Sequence, residues 1–107
     1  MHKIFFTGSA KDDLADIFSY IEKHDGRKNA EYVIDSITKN IRNLSEMPHR
    51  GTFPAELAAL GMKSFREIYF KPYRIIYHAD EQNVFILLIA DGRRDMRSLL
   101  EKRLLSI

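Results

Sequence analysis

The chain has 107 residues, enough for one compact domain and too few for two. Hydrophobic residues make up 45% and charged residues 30%, a globular balance that argues against disorder. Cysteine is absent, which excludes a disulfide framework, a thiolate metal site and a cysteine nucleophile, and suits a reducing cytosol. The net charge is only +2, so any nucleic-acid surface must come from how folding distributes the charges.

Lys3 to Thr7 is aromatic and β-branched and predicts a short strand. Ser9 is the expected cap of the next helix, with Asp12 in the capping-box position and Asp12-Asp13 near the positive end of the dipole. Leu14, Ile17, Phe18 and Ile21 share one helical face, and Asp25-Gly26 closes the helix. A second helix from about Arg27 carries Ala30, Val33, Ile34, Ile37, Ile41 and Leu44 as one stripe. The short turn between the two predicts an antiparallel αα-hairpin.

Met47-Pro48 ends that helix, and residues 49–54 form a loop. Pro54 to Leu60 predicts one or two further helical turns, with Pro54 first and Gly61 as the stop. Three strands follow, Ser64–Phe70, Tyr73–His78 and Val84–Ala90. Lys71-Pro72 and the Asp80–Asn83 turn are short enough to make both connections antiparallel hairpins. Val84–Ala90 is apolar throughout, as in a strand covered on both faces. Asp95 caps a closing helix in which Leu99, Leu100 and Leu104 face inward. The expected fold is therefore α+β: an N-terminal strand, an αα-hairpin, three consecutive antiparallel strands in one sheet, and a short C-terminal helix.

No segment reads as a signal peptide, and the longest apolar run, Val84 to Ala90, is far below the ~20 residues of a membrane helix. A soluble, cytoplasmic protein without a membrane partner is the expectation. His2, His24, His49 and His78 have no metal-ligand spacing, so no metal and no cofactor are expected; His78 is kept only because it ends a strand near the arginines. Asp12-Asp13 and Asp80-Glu81 suit caps and turns. There is no phosphate-binding glycine loop and no serine nucleophile motif.

The arginines carry more information. Arg66 and Arg74 lie in successive strands and Arg93-Arg94 end the last one, positions where arginine is uncommon unless paired or bound. Two readings stay open. Sheet pairing gathers the guanidinium groups into a donor site for phosphate or carboxylate. Alternatively, Arg66 and Arg94 pair internally with Glu67, Asp91 or Asp95 while Arg74 faces solvent. A two-residue Lys71-Pro72 loop sets Tyr69 opposite Arg74 on one face. Tyr69, Tyr73 and Tyr77 beside these arginines suit base stacking, a protein interface or plain packing.

Phe65-Arg66-Glu67, Tyr73-Arg74-Ile75-Ile76-Tyr77 and Gly92-Arg93-Arg94-Asp95 followed by Leu99-Leu100 resemble the ParE branch of the RelE/ParE toxins. Ala10, Asp13-Leu14, Ile17, Tyr20-Ile21, Ala30, Ile37, Leu44, Pro48 and Gly51 extend the likeness over nearly the whole chain, as one toxin domain spanning residues 1–107. The resemblance implies a type II toxin-antitoxin system, growth arrest or plasmid stabilisation, and a cognate antitoxin that binds the toxin in a hetero-oligomer.

It also implies one of two targets. ParE-like members block DNA gyrase; RelE-like members cleave messenger RNA on the ribosome. By the likeness, Arg74 and Arg94 match arginines of the RelE active site and Arg66 stands for a strand lysine. Arg66, Arg74 and Arg94 are thus the catalytic candidates if the chain is a ribonuclease. Arg66, Tyr69, Arg74, Tyr77, Arg93 and Arg94 are the candidates for toxicity or partner binding. Glu67 and Ile68 occupy the neighbourhood of a second RelE lysine, and the RelE tyrosine falls at Leu99 or Leu100. Leucine transfers no proton, and a glutamate repels phosphate, so the gyrase reading leads.

Overall fold

The computed structural model describes residues 1–105. In chain order the elements are β1 (Lys3–Phe6), α1 (Gly8–Asp25), α2 (Arg27–Asn43), α3 (Ala55–Ala58), β2 (Arg66–Phe70), β3 (Tyr73–Ala79), β4 (Asn83–Asp91) and α4 (Met96–Leu105). This is the α+β order expected from the sequence.

The start of α1 differs from expectation. Thr7, not Ser9, is the cap, its Oγ1 accepting from Ala10 N at 3.1 Å. Thr7 N donates to Ile86 O, so the chain leaves the sheet and enters the helix at a single residue. Asp12 therefore falls beyond the capping position, and Asp13 is free for another use. Gly26 joins the two helices at φ +92, a left-handed value that strains any residue with a Cβ. Its N–H closes α1 on Glu22 O at 3.1 Å. The second helix ends at Asn43 and passes through turns before Pro48.

The sheet order is β1-β4-β3-β2. β3 pairs antiparallel with β2 on one side and with β4 on the other, and β1 lies parallel to β4 at the far edge. Across the β3–β4 ladder, Ile76 faces Leu88 but Tyr77 faces Ile86, so Leu87 is an extra residue in a bulge. The bulge resets which face each residue of β4 supplies. Val84, Ile86 and Ile89 pack with Ala10, Ile37, Ile41 and Leu44 of the αα-hairpin. Leu88 and Ala90 pack on the other face with Leu57, Met96 and Leu100. The strand is thus covered on both sides, and each fully buried aliphatic side chain contributes about 1.5–3 kcal/mol.

Asp95 caps α4 as expected, accepting from Ser98 N at 3.2 Å and from Ser98 Oγ at 2.8 Å. Leu100 is buried, and Leu99 and Leu104 are half-buried. Among the described residues, no helix is long and apolar enough to cross a membrane.

Candidate functional site

Register alone separates the two strand arginines. Arg66 pairs with Tyr77 and Tyr69 pairs with Arg74. Because side chains alternate, Arg66 shares the hairpin-facing side of Ile68, while Arg74 shares the opposite side with Tyr69 and Glu67. The sheet does not bring Arg66 and Arg74 onto one surface, so they do not converge on one phosphate.

Arg74 sits inside a carboxylate clamp. Its Nη1 and Nη2 donate to Glu56 Oε2 and Oε1 at 2.8 and 2.7 Å, and its Nε donates to Glu67 Oε1 at 2.7 Å. Tyr69 donates its hydroxyl to the remaining Glu67 oxygen at 2.8 Å. The Arg74 side chain is 12% exposed and that of Glu67 4%. Gly92 admits the arginine stem, since a Cβ there would lie 2.8 Å from Arg74 Cδ. The internal-pairing alternative expected Arg74 to face solvent; instead it takes Glu67, and it also takes Glu56.

The electrostatics follow from this geometry. Hydrogen bonding to Arg74 holds the Glu56 carboxyl at about 2, against an ordinary 4.5. The same bond raises Arg74 further above its ordinary value. Burial first, and then its bond to Glu67, push the Tyr69 hydroxyl up. One guanidinium between two carboxylates is formally net −1, and a phosphate brought here would meet repulsion, with all three guanidinium nitrogens already donating to carboxylates.

Arg66 serves the loop before β2. Its Nη1 donates to Gly51 O at 2.8 Å and His49 O at 3.3 Å, and its guanidinium lies 4.6 Å from the centre of the Phe53 ring. Tyr77 holds the same loop from within. Its hydroxyl donates to Pro48 O at 2.7 Å and accepts from Gly51 N at 3.0 Å. It is fully buried and has no surface to offer a partner in this conformation.

The remaining candidates lie outside. Arg93 is exposed and folds back on Asp91 at 2.6 Å, which with its own backbone bond holds the Asp91 carboxyl below the usual range. Arg94 is exposed, and its side chain has no hydrogen-bond or ion-pair partner among the described residues. Tyr69 is 50% exposed. His78 Nδ1 donates to Ser64 O, 2.8 Å away, and the ring stacks on Phe85. Among the described residues, no group of acidic or histidine side chains could hold a metal ion.

Two polar centres escaped the sequence reading. By its sequence Glu56 is only part of a helical turn, although an arginine inside a sheet demands a carboxylate from somewhere. Asp13 lies near the positive end of the helix dipole, yet it binds Arg103 through both oxygens at 2.8 and 2.9 Å and accepts from Ile89 N at 2.9 Å.

The fold is an αα-hairpin on one face of a mixed four-stranded sheet, with a short helix and a C-terminal helix on the other. Residues 4–96 match the family model described as the ParE toxin of the type II toxin-antitoxin system, parDE, and the chain belongs to that family. It is 27% identical over 103 residues to Toxin ParE3 of Caulobacter vibrioides, covering 96% of this chain and 99% of that one. Its fold superposes with a TM-score of 0.71 and 19% identity on a structure titled the chromosomal ParDE TA system from P. aeruginosa. That match covers 85% of this chain and 96% of the other.

Proposed function

We propose that this ParE-family toxin arrests growth by inhibiting DNA gyrase through protein contact, and that a cognate antitoxin neutralises it in a cytoplasmic hetero-oligomer. One observation carries the choice of target. The Arg74 guanidinium, which a RelE-like nuclease would turn toward RNA, is held at all three nitrogens by Glu56 and Glu67. Leu100 is buried and Leu99 is half-buried where a proton-transferring tyrosine would be needed. Arg66 spends its donors on loop carbonyls on the other face of the sheet.

Tyr69, Arg93 and Arg94 are the residues of the original set that a large protein target can reach. Arg66, Arg74 and Tyr77 act on toxicity by holding the surface that presents them. Purified toxin added to gyrase and relaxed plasmid should reduce supercoiling, and expression in cells should induce DNA-damage signalling. Unchanged supercoiling at saturating toxin overturns the gyrase reading. Cuts in translated messages at the ribosomal A site, lost in Arg74→Ala or Arg94→Ala, would put the ribonuclease reading in its place.

A further inference from the structure

One face of α1 looks across to the end of β4. Asp13, Asp16, Ile17 and Tyr20 recur at i, i+3, i+4 and i+7 along the helix, and with Tyr73 and Asp91 of the sheet they line a cavity of about 470 Å³. Its floor is apolar, with Ile17 half-buried and Ile21 and Ile89 buried. Tyr20 flanks it from the helix and Tyr73 from β3. His24 holds the first of these rings in place: its Nδ1 donates to Tyr20 O at 2.9 Å, and the two rings stack at 4.2 Å. Tyr20 is nonetheless 65% exposed.

Two of the rim carboxylates are already balanced. Asp13 is bound by Arg103, and Asp91 by Arg93. Asp16 and Asp25 are exposed, and neither carboxylate has a hydrogen-bond or ion-pair partner among the described residues. Arg94 lies on the same rim, also without a partner there. Two unpaired carboxylates against one unpaired guanidinium make the cavity receptive to a cation, with a place for an anion at its edge.

An apolar floor, rings at the sides and carboxylates at the mouth suit one shape of occupant. The methylene stem of a lysine or arginine packs on the floor and against the rings, while its charged head stays among the carboxylates. A bare metal ion does not fit, because no group of acidic or histidine side chains among the described residues could hold one.

We propose that gyrase inserts a lysine or arginine side chain into this cavity, and that Arg94 meets an acidic residue beside it. The inference rests on the gyrase reading above and names where the target binds and through what chemistry. Arg93 and Arg94, the exposed arginines which that reading assigns to the contact, stand on the rim of the same cavity. Tyrosine and arginine around a pocket are the side chains in which binding energy concentrates. Charges of both signs at one contact fix its orientation.

The test measures the toxin concentration that half-inhibits gyrase supercoiling of relaxed plasmid. Asp16→Lys should raise it by about tenfold or more, and Tyr20→Ala should raise it while Tyr20→Phe does not. Both positions are exposed, so the unfolding midpoints should stay at the parent value. Asp35→Lys, the same charge change on the exposed side of α2 and away from the cavity, should inhibit like the parent. Parent-like inhibition by Asp16→Lys overturns the cavity contact and leaves the gyrase reading standing. An equal loss in Asp35→Lys reduces the effect to net charge and also overturns it. If Asp16→Lys inhibits gyrase fully but no longer binds the antitoxin, the cavity belongs to the antitoxin and the proposal falls. A parent toxin that leaves supercoiling untouched overturns the gyrase reading itself, and this contact with it.

Discussion

Asp13 and Arg103, separated by 90 residues, join through two hydrogen bonds and together close the β4 edge where β1 ends. Asp13 takes the Ile89 N–H and Arg103 takes the Leu87 carbonyl, so the pair stands in for a missing strand at the bulge. It also ties α4 to α1. The side chains are 14% and 18% exposed, and hydrogen bonding to Asp13 raises Arg103 above its ordinary value.

Removing one partner leaves the other charge and a backbone group short of partners. Arg103→Ala should therefore cost about 3 kcal/mol, near the lower end for a broken buried pair. Urea unfolding measures the loss, and the Ile89 amide should exchange faster in Asp13→Asn than in the parent. An unchanged midpoint in Arg103→Ala would mean that α4 is held by Met96 and Leu100 alone.

The Arg74 clamp predicts an acid-dependent stability. Glu56 has a folded-state value near 2 against 4.5 ordinarily, so the unfolded chain binds its proton first as pH falls. The contribution is complete above about 4.5 and is lost as pH drops toward 2. Glu56→Gln, which keeps the shape and removes the charge, should be less stable than the parent by about 1–2 kcal/mol at pH 7. The gap should narrow steadily in unfolding titrations between pH 4.5 and 2. A gap that is constant across that range would detach Glu56 from the clamp.

Tyr77 and Gly51 test the loop that precedes β2. Tyr77→Phe strands the Gly51 N–H and removes a donor from Pro48 O, a loss of about 1–3 kcal/mol. Gly51→Ala should be worse. Its Cβ would lie 2.6 Å from the Tyr77 hydroxyl and 2.7 Å from the Glu67 carbonyl oxygen, and the second of these is backbone. Thermal unfolding should rank the two in that order.

Much of this arrangement was readable in advance, and the limits have physical causes. The two-residue Lys71-Pro72 loop set Tyr69 opposite Arg74, as found. The same parity puts Arg66 on the other face, so their separation was available from counting alone. The apolar run of β4 announced a strand covered twice. By contrast, β1 pairs with a strand some 80 residues away, and no local pattern names a partner at that distance. Thr7 and Ser9 are both competent caps, and the choice between them was made by the Thr7 bond to Ile86. Glu56 and Asp13 sit on helices whose periodicity reports apolar faces; it says nothing of which carboxylate will meet an arginine 18 or 90 residues on.

Arg94 separates a contact role from a structural one. Its guanidinium is exposed, and no side chain among the described residues binds it, whereas Arg74 is held by three hydrogen bonds. Arg94→Glu should therefore leave the unfolding midpoint within about 0.5 kcal/mol of the parent. Arg74→Ala leaves Glu67 buried without its cation and should cost about 3 kcal/mol or more. If Arg94 contacts the target, Arg94→Glu weakens gyrase inhibition at unchanged stability, and Arg94→Lys restores part of it. Loss of toxicity in Arg74→Ala, recovered when the temperature is lowered so that the protein folds, would mark Arg74 as a scaffold residue. Full gyrase inhibition by Arg94→Glu would remove that arginine from the contact surface and leave Tyr69 and Arg93 as the positions to change next.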